Sequence, residues 1–579
     1  MNRTFTFISA ALIAAACTGC GRAAGPLWLA AGEPVQEGEP YYELRILDHW
    51  DNLDDSVERG YAGPSIWEWT SPSVPEERIR TYGRLNQSIG INGSVLNNVN
   101  ANPKILDDAH IARVAEIASI LREYGIRTYL SINFATPMAL GELPTADPAD
   151  PAVAEWWRKR IDRIYELVPD FGGFLVKASS EGQPGPQDFG RSHAEGANML
   201  ADALAPHGGI VMWRAFVYSA TSPDRANQAV EEFKPLDGQF RDNVIIQIKN
   251  GPVDFQAREP VNPLFFNLGN TASMPEVQIT QEYLGQSRHL VFLAPMWKEF
   301  LDQAASTGRK AIAGVANTGQ EDSWCGHIFS QANWYAFGRL AWDPTLSSSQ
   351  IAEEWIRLSF VRPWWCPKTR FEREFVIPVR DMMLSSREAC VSYTMPIGLH
   401  HIFNGSHYGP GPWERSIRPD WSPAYYHKAD ADGIGFDRTV ATGSGNTAQY
   451  PEELASLYED LESCPENLLL WFHHVGWDYR MSSGRSVWDE LCLHYDNGIK
   501  TVQGYMDTWM DVKRYVDKDV WNEVWKRLVI QESDARWWRD ACVQYFGSFA
   551  GLTPPADVSA PEIPLDSLYW RRRPGMTRR

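Results

Sequence analysis

The chain has 579 residues, of which 22% are charged, and its formal net charge is −19 at pH 7. This acidic balance argues against a nucleic-acid partner, whose phosphates require a basic protein face. The length allows a barrel of roughly 250 residues or more together with a second domain. No long low-complexity tract is present, so the chain is predicted to be globular.

Residues 1–20 combine one positive charge, an apolar stretch and a small-residue end, which is the pattern of an export signal. The stretch is too short to span a bilayer, and no other segment could do so. Its end, Cys17–Cys20, resembles a bacterial lipobox with Cys17 where Leu is usual, which predicts a lipoprotein-type signal peptide lipidated at Cys20. Ordinary cleavage nearby is the alternative. We expect an exported protein, held in the bacterial cell envelope (periplasm or outer membrane) through its lipid anchor only.

Residues 21–40 are rich in Gly, Ala, Glu and Pro and are interpreted as a tether. From there to about residue 340, apolar strands alternate with amphipathic helices. The predicted strands are Glu43–His49, Gly93–Val99, Arg127–Phe134, Gly173–Ser179, Gly209–Tyr218, Asn243–Lys249, Val277–Glu282 and Ala311–Asn317. The predicted helices include Ile105–Tyr124, Ala152–Leu167, Ala194–Leu204 and Trp297–Ala305. This alternation predicts a (β/α)8 TIM barrel over residues 41–365. An open doubly wound sheet is less consistent, since no G-x-G-x-x-G follows the first strand.

The pattern changes beyond Asp343. Residues 350–395 and 485–549 are helical in character and rich in Trp, Leu and Glu, and the Gly-, Pro-, His- and Tyr-rich stretch 396–450 is typical of an ordered loop. We therefore predict a mostly α-helical C-terminal domain over residues 366–579, and a homodimer through this domain is a further hypothesis. The six cysteines after Cys20 lack the C-x-x-C spacing that is typical of zinc sites. Their spacing fits disulfides and buried free thiols equally.

Charged and polar side chains follow the predicted strands at their carboxyl ends. In a barrel these ends converge on one face, even when the residues are far apart in sequence. Any one such residue could form a structural ion pair or a helix cap, so the repetition carries the prediction. The residues are Trp50, Asp51, Asn97, Asn98, Lys177, Glu181, Arg214, Lys249, Asp254 and Glu282. Three carboxylates and three cations would then share one pocket, and Asn97 and Asn98 are candidates for contacts with sugar hydroxyls.

Several long motifs resemble one family over about residues 41–550. They are His49–Gly63, Asn97–Ala101, Phe174–Pro186, Gly208–Tyr218, Gln278–Gly285 and Leu470–His474, and they are similar to glycoside hydrolase family 67 α-glucuronidases. Such enzymes remove α-1,2-linked glucuronic acid, or its 4-O-methyl ether, from the terminal xylose of xylan fragments and invert the anomeric centre. The resemblance implies an acidic xylo-oligosaccharide substrate and no cofactor or metal.

The resemblance also implies roles for individual residues. Glu181 matches the general acid, and Asp254 and Glu282 match the carboxylates that activate water. Lys177, Arg214 and Lys249 match side chains around the uronic acid, and Trp50, Val99 and Trp477 match its apolar wall. Because Lys177 would oppose the protonation that an acid needs, we expect Lys177 to face the substrate more than Glu181.

Two alternatives stay open. The cations would recognise a carboxylate and not a whole sugar, so a glycosidase for another uronic acid fits as well. A non-catalytic surface lipoprotein that binds acidic glycans is the other, although the three carboxylates favour an enzyme.

Family members usually carry an N-terminal α/β domain, and only some 20 residues separate Cys20 from the first strand, so we expect that domain to be missing. The histidines at 400, 401, 407, 427, 473 and 474 fit no H-E-x-x-H pattern and are interpreted as structural or as part of the substrate rim.

Overall fold

The computed structural model describes residues 38–216, 222–304, 310–316, 318–415 and 419–572. The predicted signal peptide with Cys20 and nearly all of the tether lie outside the described residues. The same is true of the ends of two predicted strands, at Tyr218 and Asn317, and of Ala305 at a predicted helix end. In the described ranges, no helix has both the length and the apolar character that crossing a membrane requires.

Eight parallel strands close a barrel in chain order, which confirms the predicted TIM barrel. The strands are β1 Leu44–Asp48, β2 Gly93–Val95, β3 Arg127–Ile132, β4 Gly173–Val176, β5 Ile210–Arg214, β6 Val244–Lys249, β7 Ser273–Gln278 and β8 Ala311–Val315. Closure occurs between β1 and β8, where Leu44 lies opposite Ala311 and Asp48 lies opposite Val315.

The inside of the barrel is a packed apolar core. Side chains from successive strands, among them Ile46, Val95, Leu175, Met212 and Ile245, form one buried cluster. Polar side chains gather at the carboxyl ends of the strands and beyond them, which positions a site at the carboxyl-terminal face.

The seventh strand differs from its prediction over Val277–Glu282, because it begins four residues earlier, at Ser273. Pro275 and Glu276 are poor strand formers, so their presence disguised the start of the strand. Several other strands end earlier than predicted, and β2 stops at Val95, which leaves residues 97–99 in the following loop.

Helices surround the barrel and form the C-terminal region. In the barrel region they are α1 Glu76–Ser88, α2 Asp108–Arg122, α3 Thr136–Ala139, α4 Pro151–Leu167, α5 His193–Leu204, α6 Gln228–Phe233, α7 Ala294–Gln303 and α8 Ser330–Trp342. They are followed by α9 Ser348–Ser359, α10 Lys368–Phe371, α11 Ile377–Thr394, α12 Pro423–His427, α13 Glu452–Glu459, α14 Leu469–Phe472, α15 Val487–Asp511, α16 Lys518–Ala550 and α17 Leu565–Leu568.

The C-terminal region is mostly helical, as predicted. Its three longest helices, α11, α15 and α16, pack against one another, and buried Trp488, Trp509 and Trp538 lie in their core. The six described cysteines are free thiols, and all except the half-buried Cys325 are buried.

Candidate active site

One pocket opens beyond the carboxyl ends of the barrel strands. Its walls contain Trp50, Glu58, Arg59, Val99, Asn100, Lys177, Glu181, Arg214, Phe216, Arg225, Lys249, Asp254, Glu282, His401, His407 and Trp421. The structure thus brings together the three predicted carboxylates, the three predicted cations and two of the predicted apolar residues. The last three wall residues come from the C-terminal region, so the barrel alone does not form the pocket.

Lys177 and Glu181 form an ion pair at the end of β4. The Lys177 ammonium contacts Glu181 Oε2 and donates a hydrogen bond to Asn100 Oδ1 at 2.8 Å. Burial lowers the pKa of Lys177, and the neighbouring Glu181 carboxylate acts in the opposite direction. The expectation that Lys177 faces the substrate more than the acid is therefore wrong for the pocket without substrate, because the acid is the cation's direct partner.

Asp254 is held by two donors. Lys249 Nζ lies 2.7 Å from Asp254 Oδ1, and the Tyr283 hydroxyl donates to Asp254 Oδ2. Burial alone would raise the pKa of Asp254, but Lys249 and Arg225 outweigh it and hold that pKa well below its usual range. Asp254 is consequently an ionised, weakly basic carboxylate.

The loop that carries Asp254 is organised by a second buried carboxylate, Glu259. Its oxygens accept hydrogen bonds from the backbone N–H groups of Val253, Asp254 and Gln256 at 2.9, 2.9 and 3.1 Å. His400 Nε2 lies 3.1 Å from Glu259 Oε1 and ties this loop to the C-terminal region. Glu259 thereby fixes the backbone position of Asp254, a role for which its sequence position gave no signal.

Glu282 lies beyond β7 and is contacted from three directions. Arg59 Nε and His407 Nδ1 lie 2.5 and 2.6 Å from Glu282 Oε1, and Gln278 Nε2 donates to Glu282 Oε2 at 3.1 Å. His407 also stacks on Tyr283, with ring centroids 5.0 Å apart. The sequence indicated neither of the Glu282 partners Arg59 and His407, because they lie more than a hundred residues away from it along the chain.

The Arg214 guanidinium has a protein carboxylate as its partner. Its Nη2 and Nε lie 2.9 and 3.0 Å from the two oxygens of Glu276 on β7, a bidentate pair buried on both sides. Glu276 was missed because the start of β7 was not predicted. The pair turns Arg214 into a fixed wall element whose charge is already balanced.

Phe216 is a further functional residue that the sequence did not single out. Lys249 Nζ, Lys177 Nζ and Arg214 Cζ lie 3.5, 5.1 and 5.2 Å from the centroid of its ring. A ring face attracts cations at such distances, so Phe216 helps to keep three positive charges close together. Arg225 adds another cation, whose guanidinium lies 5.6 Å from the Trp421 ring centroid.

The remaining predicted site residues make other contacts. Both ends of the Asn97 amide bind the backbone of Ser131 at 3.0 Å, which joins the loop after β2 to β3. Asn98 donates to Glu58 Oε2 at 2.9 Å and so supports a wall residue from behind. Trp477 donates to the backbone oxygen of Asp430 at 3.0 Å. In the described part of the chain, these three do not form the pocket wall.

Four residues of the pocket wall have a strained backbone conformation. Arg59, Glu181, His401 and His407 adopt left-handed φ angles between 49° and 60°. Such conformations are unfavourable for residues other than glycine and persist where the surrounding structure holds them in place. Two of these residues, Arg59 and His407, are the partners of Glu282. Among the described residues, no cluster of three or more His, Cys, Asp or Glu side chains is arranged to hold a metal ion.

A barrel whose open face gathers several carboxylates has the groups that glycoside hydrolases use as acid and base. Comparison with known families agrees. Residues 31–316 match the family described as "Glycosyl hydrolase family 67 middle domain". Residues 325–559 match the family described as "Glycosyl hydrolase family 67 C-terminus". The chain belongs to glycosyl hydrolase family 67.

Curated relatives of the chain include alpha-glucuronidases. A probable alpha-glucuronidase A of Aspergillus flavus is 45% identical over 538 residues, covering 88% of this chain and 63% of that protein. Alpha-glucuronidase A of Emericella nidulans is 44% identical, with 89% and 64% covered. Alpha-glucuronidase of Hypocrea jecorina is 41% identical, with 89% and 63% covered. The chain thus spans somewhat less than two thirds of the length of these relatives.

Proposed function

We propose that this protein is an inverting α-glucuronidase. Its substrates are xylan-derived aldouronic oligosaccharides, in which it hydrolyses the α-1,2 bond between glucuronic acid, or its 4-O-methyl ether, and the terminal xylose. The observation that carries the proposal is a single pocket in which Glu181, Asp254 and Glu282 face a group of buried cations. The names of the curated relatives support the choice of a glucuronide.

The charge of the pocket supports an anionic sugar. Its wall contains the cations Arg59, Lys177, Arg214, Arg225 and Lys249 and the carboxylates Glu58, Glu181, Asp254 and Glu282, and Glu276 balances Arg214 from behind. Cations and carboxylates are then equal in number. A general acid must be protonated, and protonation of Glu181 leaves one positive charge in excess. A uronate supplies the missing negative charge, whereas a neutral sugar would leave a buried cation without compensation.

Hydrolysis needs a proton on the departing oxygen and a water molecule on the opposite face of the sugar. Glu181 donates its proton to the xylose oxygen as the glycosidic bond breaks. A carboxylate across the ring takes a proton from the attacking water, and this direct displacement inverts the anomeric centre. We assign the proton-accepting role mainly to Glu282, because the low pKa of Asp254 makes it a poor acceptor. Asp254, fixed by Lys249 and Tyr283, orients the water.

A substrate without the carboxylate tests the charge requirement. Aldotetraouronic acid and its carboxyl-reduced analogue, a glucosyl xylo-oligosaccharide, differ only at this group. We expect kcat/KM for the reduced analogue to be lower by at least about 100-fold, since charge-assisted hydrogen bonds contribute roughly 1.5–3 kcal/mol each. Equal rates for the two would contradict the proposal. Faster hydrolysis of an α-galacturonoside than of the glucuronoside would instead favour an enzyme for another uronic acid.

The location and the assembly of the protein are also proposals. The pattern of residues 1–20 supports export, with a lipid on Cys20 as the attachment to a bacterial envelope. A homodimer through the C-terminal domain and a domain boundary near residue 365 remain predictions from the sequence.

A further inference from the structure

The three predicted cations of the pocket each hold a protein carboxylate. Lys177 contacts Glu181, Lys249 contacts Asp254, and Arg214 binds Glu276. A uronate that enters this pocket brings an additional buried negative charge. Two carboxylates that share one buried cation repel each other, and one of them then favours its protonated form. Binding of the uronate at one of these three cations therefore has to change the existing pair.

The structure distinguishes the pair that can open. The Glu276 side chain is 1% exposed and bound to Arg214 through both oxygens. The Asp254 side chain is 17% exposed, but Lys249 and Tyr283 hold its two oxygens. The Glu181 side chain is 27% exposed, and in the described part of the chain its carboxylate has one hydrogen-bonding partner, the Lys177 ammonium. Glu181 is thus the carboxylate that can leave its cation with the least rearrangement.

We infer that the carboxylate of the substrate replaces Glu181 at the Lys177 ammonium and that Glu181 takes up a proton from solvent in the same event. This inference rests on the proposed function. In this exchange Glu181 leaves the Lys177 ammonium, the uronate takes its place there, and the carboxyl of Glu181 gains one proton from water or buffer. The general acid of the reaction is then produced by binding of the correct substrate.

The charged groups around Lys177 support this exchange. Glu58 from the loop after β1 and Arg214 from β5 act on the ammonium electrostatically, and Asn100 and the Phe216 ring contact it directly. Burial lowers the pKa of Lys177, and the Glu181 carboxylate acts in the opposite direction. A carboxylate beside Lys177 thus favours the charged ammonium. If Glu181 remained ionised in the complex, the ammonium would face Glu181, Glu58 and the uronate together.

The exchange has a consequence for specificity. A neutral sugar can occupy the pocket but cannot displace Glu181 from Lys177, so the acid stays ionised and cannot donate a proton. Discrimination against neutral sugars should then appear in kcat as well as in KM, because the carboxylate contributes to the transition state through the acid.

Calorimetric titration of the full chain with D-glucuronate tests the inference. Titrations in buffers of different ionisation enthalpy, at about pH 6 and thus above the ordinary carboxyl pKa of roughly 4, report the protons taken up. We expect uptake close to one proton per bound glucuronate. Because binding consumes a proton, the affinity should fall by about tenfold for each pH unit of increase in this range. D-Glucose, which lacks the carboxylate, should bind without proton uptake.

Three variants complete the test. Glu181→Gln is always neutral, so proton uptake should fall to near zero and the affinity should become independent of pH. Lys177→Gln should also abolish the uptake, since it removes the ammonium at which the uronate would replace Glu181. Lys298→Gln removes the ammonium of another i,i+4 ion pair, with Asp302 on the surface of α7, and should leave the uptake unchanged.

The outcomes separate this inference from the proposed function. Binding of glucuronate without proton uptake, or with uptake that persists in Glu181→Gln, overturns the inference, while hydrolysis of aldouronic acids would still support the glucuronidase. Failure of glucuronate to bind at all would contradict both.

Discussion

Replacing Glu181 with Gln is expected to reduce kcat on aldotetraouronic acid by about 10²–10⁴-fold, the usual contribution of a positioned general acid. The xylose oxygen is a poor leaving group and requires a proton as the bond breaks. On 4-nitrophenyl α-glucuronide the leaving group departs without that proton, so the loss should be much smaller. Steady-state kinetics on both substrates measure the difference, and KM should change little.

Glu195→Gln is the matched control for this comparison. Glu195 caps helix α5 outside the pocket, and Gln serves the same capping role, so its kinetics should equal those of the original protein. Losses of equal size on the two substrates in Glu181→Gln would remove Glu181 from the role of acid.

Replacing Glu282 with Gln is expected to lower kcat by about 10²–10⁴-fold on both substrates, because water must be activated whatever the leaving group. Asp254→Asn should have a smaller effect on kcat. Lys249 and Arg225 hold the pKa of Asp254 well below its usual range, so this carboxylate accepts a proton from water less readily than an unperturbed one. The kinetics of the two variants, measured side by side, rank the two carboxylates as bases.

A larger loss of kcat in Asp254→Asn than in Glu282→Gln would contradict this ranking. Thermal unfolding of each variant separates chemistry from structure, since Glu282 also binds Arg59 and His407. A substantial decrease in Tm together with the loss of kcat would indicate that the lost contacts, and not the lost base, reduce activity.

The barrel and the polar residues that follow its strands could be predicted from the sequence, because apolar runs that stop at polar residues are a local signal. The seventh strand was placed too late for an equally local reason, since Pro275 and Glu276 resemble a loop. Because of that error Glu276 was missed as a buried strand residue. The sequence analysis therefore did not predict that Glu276 neutralises Arg214. Arg214 lies on β5 and Glu276 on β7, two strands away in the barrel, so the pairing of these two charges has no local signal in the sequence.

The C-terminal part of the pocket could not be predicted. His407 contacts Glu282 across 125 residues of sequence, and its surroundings contain Gly, Ser and Pro without a periodic pattern. Arg59 binds Glu282, and its backbone is left-handed. The sequence does not indicate that conformation, because Arg59 is not a glycine. The sequence therefore indicates which charges the pocket contains, whereas their pairing depends on long-range packing.

The central claim is that Glu181 and a water-activating carboxylate act on opposite sides of one α-glucuronide bond. Proton NMR of aldotetraouronic acid during the first minutes of hydrolysis by the full chain tests it most directly, because the anomeric signals report the stereochemistry before mutarotation equalises them. Inversion of the anomeric centre predicts that the β-anomer of glucuronic acid appears first. Initial appearance of the α-anomer, or tight binding of the substrate with no product, would contradict it.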